Sequence, residues 1–377
     1  MSSHPVSAVG RLSAAVATRA RRTAGRRTAG QRAAALTTAA VTAAALMTGA
    51  TAGSAVAEAD PDAPQAFTSS TSVGLHNAYE KGGFPYLADV LDSGAGLVEL
   101  DVWTDELIGR WRVSHDLFGA SSNCVGATDP ANLRTGNRDQ DLLGCLTDLR
   151  TWHEVNPGHR PIVLKVEMKD GFYDRGGMGP AAFDALVAGR LGDAVFTPSD
   201  LLAHAGGAAD LDEAVTSAGW PSRDALAGRI LIELIPGTFE QGNPFDTLWT
   251  DEEYSRHLRD LAAAGEIAAA QAFPSVLGAE SGDPRDRYED ESLRPWFVVY
   301  DGSANAYVTG GIDTDWYRER NYLLIMTAAH EVAPAIDAVA PDEQAALDRV
   351  AQLAAANASI VTSDWRSSTL LSTVVSR

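Results

Sequence analysis

Residues 97–103, Leu-Val-Glu-Leu-Asp-Val-Trp, read as a strand with Glu99, Asp101 and Trp103 on one face and Val98, Leu100 and Val102 on the other, because successive side chains of a strand point to opposite faces. The segment 162–169 repeats the pattern, with Lys165, Glu167 and Lys169 on one face and Ile162, Leu164, Val166 and Met168 on the other. Carboxylates confined side by side repel unless a cation or a basic group lies between them. Such a face belongs at a barrel mouth rather than in an apolar core. Around these segments apolar strands alternate with helical stretches, the signature of α/β architecture. Strands are predicted over 72–76, 97–103, 111–115, 161–169, 230–235, 296–300, 322–327 and 359–363, a count that favours a closed (β/α)8 barrel over an open sheet. Helices are predicted over 86–93, 141–155, 179–191, 251–264 and 341–357, where the last starts on Pro341-Asp342. The stretch 278–294, rich in Asp, Glu, Arg and Gly, reads as a surface loop.

The first 57 residues differ from the rest. Arg11, Arg19, Arg21, Arg22, Arg26, Arg27 and Arg32, with no acid, precede an Ala/Thr/Val/Leu run, and Ala55-Val-Ala57 fits a small-residue cleavage rule. This predicts an export signal over 1–57, a linker over 58–71, a barrel over 72–377 and a secreted, extracellular product. Removal of the signal takes away seven arginines and no acid, leaving 23 basic and 50 acidic residues and a net charge of −27. That surface repels nucleic acid and anionic membranes at long range. The two cysteines, Cys124 and Cys145, are expected to pair in an oxidising compartment, contributing about 3 kcal/mol by loop closure.

His76-Asn77 follows the first predicted strand and His115-Asp116 the third. Two imidazoles can act as acid and base near neutral pH, and oxygen ligands from Asn77, Glu99, Asp101 and Glu167 suit calcium or magnesium. Together they outline metal-assisted phosphoryl transfer. Lys165 and Lys169 are two of only three lysines and are candidates for phosphate contacts, the competing reading being an ion-pair ladder inside the barrel. His153, His159, His204 and His257 read as solvated surface, while His330 stands open between site and surface. Trp103, Tyr300, Tyr307 and Trp365 are equally suited to a sugar ring and to the core.

On these residues the chain resembles the phosphatidylinositol-specific phospholipase C-like phosphodiesterases, in their secreted calcium-dependent bacterial branch. The likeness rests on His76-Asn77, Glu99-x-Asp101, His115 in Val-Ser-His-Asp, Glu167 with Lys169-Asp170, the Cys124 to Cys145 span and Trp152-x5-Gly158-His159-x-Pro161, then thins to Tyr300-Asp301 and Val361-Thr-Ser-Asp364. It departs from that branch at Met326-Thr-Ala-Ala-His330, where arginines are usual. The resemblance implies a distorted TIM barrel with calcium held by Asn77, Glu99, Asp101 and Glu167. It implies that an inositol 2-hydroxyl attacks the phosphate to give a cyclic diester, which water then opens. His76 would serve the nucleophile and His115 would protonate the leaving alkoxide. A monomer acting on a phospholipid, with transient membrane-surface contact, is expected. The alternatives are a glycerophosphodiester phosphodiesterase, which also uses paired histidines and a Glu-x-Asp pair, and a non-catalytic barrel that binds a head group.

Overall fold

The computed structural model describes residues 66–105 and 108–377; the expected export signal and the linker up to residue 65 lie outside them. Ten strands follow one another among the described residues: β1 (Ser70–Leu75), β2 (Leu97–Asp105), β3 (Arg110–Val113), β4 (Ile162–Met168), β5 (Ile230–Pro236), β6 (Phe273–Leu277), β7 (Val299–Ser303), β8 (Leu323–Thr327), β9 (Ile360–Ser363) and β10 (Val374–Ser376). Eight of them close a parallel barrel in the order β1-β2-β4-β5-β6-β7-β8-β9, with β9 returning to β1. The (β/α)8 expectation therefore holds, with one exchange of strands. The predicted strand 111–115 is β3, an antiparallel hairpin partner of β2 outside the barrel. The remaining barrel strand is β6, whose sequence signal is weak because Pro274 interrupts a five-residue run that follows an alanine-rich segment.

Pairing is uneven around the ring. The β2–β4 ladder runs from Leu97 opposite Val163 to Val102 opposite Met168, and β4–β5 from Ile162 opposite Ile230 to Met168 opposite Pro236. At the β1–β2 seam only Gly74 opposite Leu97 and Leu75 opposite Val98 remain. A Cβ on Gly74 would stand 2.6 Å from the Leu97 Cβ, so the seam requires glycine at that close approach.

The folded part starts before residue 72. Phe67 is buried beside Trp220, and Ser70 and Thr71 pair with Ser376 and Val375 of β10. The linker therefore ends earlier than expected, because an apolar residue and an unforeseen C-terminal strand hold this stretch down. The expected helices form as Leu87–Asp92, Leu142–Val155, Pro180–Leu191, Thr250–Ala264 and Glu343–Ala355. Asp141 and Asp342 accept the first-turn N–H groups of Leu143 and Ala345 at 2.9 and 3.0 Å, satisfying donors that have no partner within a helix. The stretch 278–294 is more than a surface loop. It carries two short 3-10 helices that bury Leu293 and Trp296 and stack Tyr288 on Phe297 with ring centroids 4.4 Å apart. Cys124 and Cys145 are joined, tying the segment after β3 to helix Leu142–Val155. No helix among the described residues is long and apolar enough to cross a membrane.

Candidate active site

The carboxyl ends of the barrel strands, where parallel barrels build their sites, surround a cavity of about 420 Å3 whose lining includes His76, Glu99, Lys165, Glu167, Asp301, His330 and Asp364. Strand register explains its charged wall. Glu99 lies opposite Lys165 and Asp101 opposite Glu167, so the charged faces read from sequence meet inside the barrel. Lys165 Nζ is 3.1 Å from Glu99 Oε1 and 2.8 Å from Asp301 Oδ2, while Lys169 Nζ is 2.8 Å from Glu167 Oε1 and 3.1 Å from Asp101 Oδ2. Both lysines are therefore engaged by carboxylates, as the ion-pair ladder reading required. Lys165 still lines the cavity, but Lys169 stands outside that lining.

The carboxylates outweigh the lysines. Glu99, Asp101 and Glu167 each offer an oxygen, and the three atoms lie within 4.8 Å of one another. Asp101 Oδ1 is buried without a hydrogen-bond partner. Burial, and then the charges of Glu167 and Glu99, push the Asp101 carboxyl up to about 7, as expected where positive charge is lacking. Asn77, at φ 52°, stands beside this group: its N–H donates to Glu99 Oε2 at 3.0 Å and its Oδ1 accepts from the Tyr79 hydroxyl at 3.0 Å. An all-oxygen set with an orphaned buried oxygen fits calcium, which takes carboxylate and carbonyl ligands. Deeper in the barrel, Glu233 is fully buried, and burial followed by the Asp301 charge pushes it up to about 8.

The two predicted histidines fare differently. His76 Nδ1 is 2.7 Å from Asp364 Oδ1, and its Nε2 is 3.6 Å from Glu99 Oε2. Burial would lower its pKa, but the Asp364 hydrogen bond and the Glu99 charge outweigh that and raise it to about 9. His115 lies after an antiparallel strand rather than a parallel one and outside the cavity lining, with a side chain 53% exposed and Asp116 Oδ1 at 3.4 Å. Ser114 N–H donates to the Asp101 carbonyl at 3.1 Å, which fixes the hairpin end beside the acidic cluster. Beyond His115 come the exposed Leu117 and Phe118.

His330, left open by the sequence, lines the cavity, and its Nδ1 lies 2.9 Å from Ser363 Oγ. Asp301, Glu233, Ser363 and Asp364 received no role from the sequence, although each stands on, or directly after, a barrel strand. Tyr300, Tyr307 and Trp365 are buried in the core, whereas Trp103, also buried, lies outside it with its ring edge-on to Phe239 at 5.4 Å. His153 and His159 are half-buried and 3.1 Å apart, and His257 is half-buried against Asp184 at 2.8 Å, so these three are not solvated surface.

The model of the calcium-dependent phosphoinositide phospholipase C family matches residues 131–247. A solved calcium-dependent phosphatidylinositol-specific phospholipase C from Streptomyces antibioticus is 59% identical, with a TM-score of 0.81, over 83% of this chain and 99% of its own. A calcium-dependent phosphoinositol-specific phospholipase C from a Gram-negative Pseudomonas, in apo form and complexed with myoinositol, is 22% identical with a TM-score of 0.61, over 83% of this chain and 96% of its own. It shares the fold. No curated protein matches the chain.

Proposed function

Because this chain belongs to the calcium-dependent phosphatidylinositol-specific phospholipase C family, we propose that it cleaves the phosphodiester of a phosphoinositide by acid–base catalysis at the barrel mouth. The observation that carries this reading is His76, fixed by Asp364 and set directly against the Glu99, Asp101 and Glu167 cluster. A cavity of about 420 Å3 suits a single sugar-sized head group. Calcium, held by Asn77, Glu99, Asp101 and Glu167, would supply positive charge to the phosphate and acidify the attacking hydroxyl.

The protein side chains divide the remaining work. Asp364 occupies Nδ1 of His76, so Nε2 is the nitrogen that exchanges a proton with the ring hydroxyl. Lys165 Nζ, between Glu99 and Asp301 on the cavity wall, limits the negative charge that a phosphate meets. His115 protonates the leaving alkoxide; its place outside the cavity, before the exposed Leu117 and Phe118, suits a leaving group that stays with the lipid. Phe118 is 94% and Phe245 93% exposed, on the segments after β3 and β5. A net charge of −27 without the first 57 residues makes the transient membrane contact apolar rather than electrostatic. Secretion as a monomer completes the reading and accords with the Cys124–Cys145 disulfide.

The test is turnover of purified protein on phosphatidylinositol and on glycerophosphoinositol, each with calcium and with chelator. Calcium-dependent cleavage of the first is expected. Exclusive cleavage of the second identifies a glycerophosphodiester phosphodiesterase, and cleavage of neither leaves a head-group-binding barrel.

A further inference from the structure

Two consecutive residues at the end of β9 hold the two histidines that line the cavity. Asp364 takes His76 and Ser363 takes His330. The partners differ in kind, and the difference fixes what each ring presents. The Ser363 hydroxyl donates its only proton to the Ala338 carbonyl, 3.2 Å away, so toward His330 its oxygen can only accept. With both contacts made, Nδ1 of His330 is the donor to Ser363 Oγ, and Nε2 is the ring nitrogen left for a ligand. No hydrogen-bond or ion-pair partner meets that Nε2 among the described residues.

The turn that carries His330 is built to hold it there. Ala328, which also lines the cavity, has a left-handed backbone at φ 52°, a conformation an alanine keeps only when its surroundings impose it. The buried Arg349, from helix Glu343–Ala355, donates to the carbonyls of Ala329 and Pro334, and Ile336 N–H donates to the His330 carbonyl at 2.9 Å. With Thr327 and Ala328 short, His330 is the long side chain on this stretch of wall, beside the acidic Glu331.

We propose that His330 is a specificity-determining residue that accepts a hydrogen bond at Nε2 from a hydroxyl of the substrate's polyhydroxylated ring, with Ser363 as the positioning residue that sets its tautomer. This deepens the phosphoinositide reading and rests on it. A site built to pair with a hydroxyl discriminates against head groups that lack one, because the site's own polar group is then left bare.

Calorimetric titration of the calcium-loaded protein with myo-inositol, alongside turnover of phosphatidylinositol, tests this. His330→Ala should weaken myo-inositol binding about tenfold and raise KM more than it lowers kcat. His330→Gln, which keeps an acceptor, should recover most of the loss, and Ser363→Ala should cost about threefold. Melting temperatures certify that each variant is folded. Wild-type-like myo-inositol binding in folded His330→Ala overturns the inference. So does a loss confined to kcat together with a missing limb of the pH profile, since His330 would then carry a proton instead. Absence of phosphatidylinositol turnover by the wild-type protein defeats the parent reading by itself, whereas normal wild-type turnover with an indifferent His330→Ala defeats only this one.

Discussion

The two walls of the cavity reach order by different means. The β2–β4 wall rests on a long uninterrupted ladder, and register alone sets Glu99 against Lys165 and Asp101 against Glu167. The β8–β9 wall pairs only Ile325 with Ile360 and Met326 with Val361, and its functional groups stand on turns that individual hydrogen bonds hold in place. The ladder wall therefore sets charge, and the turn wall sets direction. Charge spread over several ion pairs is lost steeply when one member goes, whereas a directional contact fails gradually when its support is removed.

That contrast can be broken most forcefully from the charged side. Chelation is expected to abolish turnover and lower the melting temperature, with calcium restoring both, since an ion bound only by the folded state stabilises it by mass action. Full activity after exhaustive chelation would instead give Lys165 and Lys169 the cation's part. Next in size, His76→Ala should reduce turnover at least about a hundredfold. His115→Ala should do the same for alkyl leaving groups and far less for an acidic aryl one; equal losses on both would reduce His115 to a binding residue. Asp364→Asn should lower turnover by less than His76→Ala. Asp364 is the leading group holding the His76 pKa near 9, so the limb of the pH–rate profile that reports His76 should move to lower pH. A limb that stays in place would mean Asp364 does not tune the ring. Smallest for catalysis is the Cys124→Ser/Cys145→Ser pair, expected to lose about 3 kcal/mol of stability by loop entropy while turnover of the folded fraction is kept. Chemical denaturation with a parallel assay would expose any coupling of the disulfide to the site.

How much of this was legible follows the same division. The charged wall is written in alternation along two strands, so Glu99, Asp101, Lys165 and Glu167 could be placed on one inner face from spacing alone. Their pairing could not, because register between segments some sixty residues apart leaves no local trace. Asp301 and Asp364 each follow an apolar run, but nothing near them in sequence says which cation or imidazole they meet. β6 is not legible in the sequence because Pro274 weakens the strand signal. β3 reads as a barrel strand from sequence because an apolar run of that length does not reveal its direction.

The His76–Asp364 hydrogen bond joins residues 288 positions apart, and the strands that carry them meet at the last join of the ring. Closure at such separation is slow, because chain entropy is lost before the contact returns anything. Catalytic competence is thus an all-or-none property of the finished barrel, absent from any chain whose first and last strands have not met. In refolding from denaturant, activity should return only with the slowest structural phase, and recovery in an earlier phase would contradict that order of assembly.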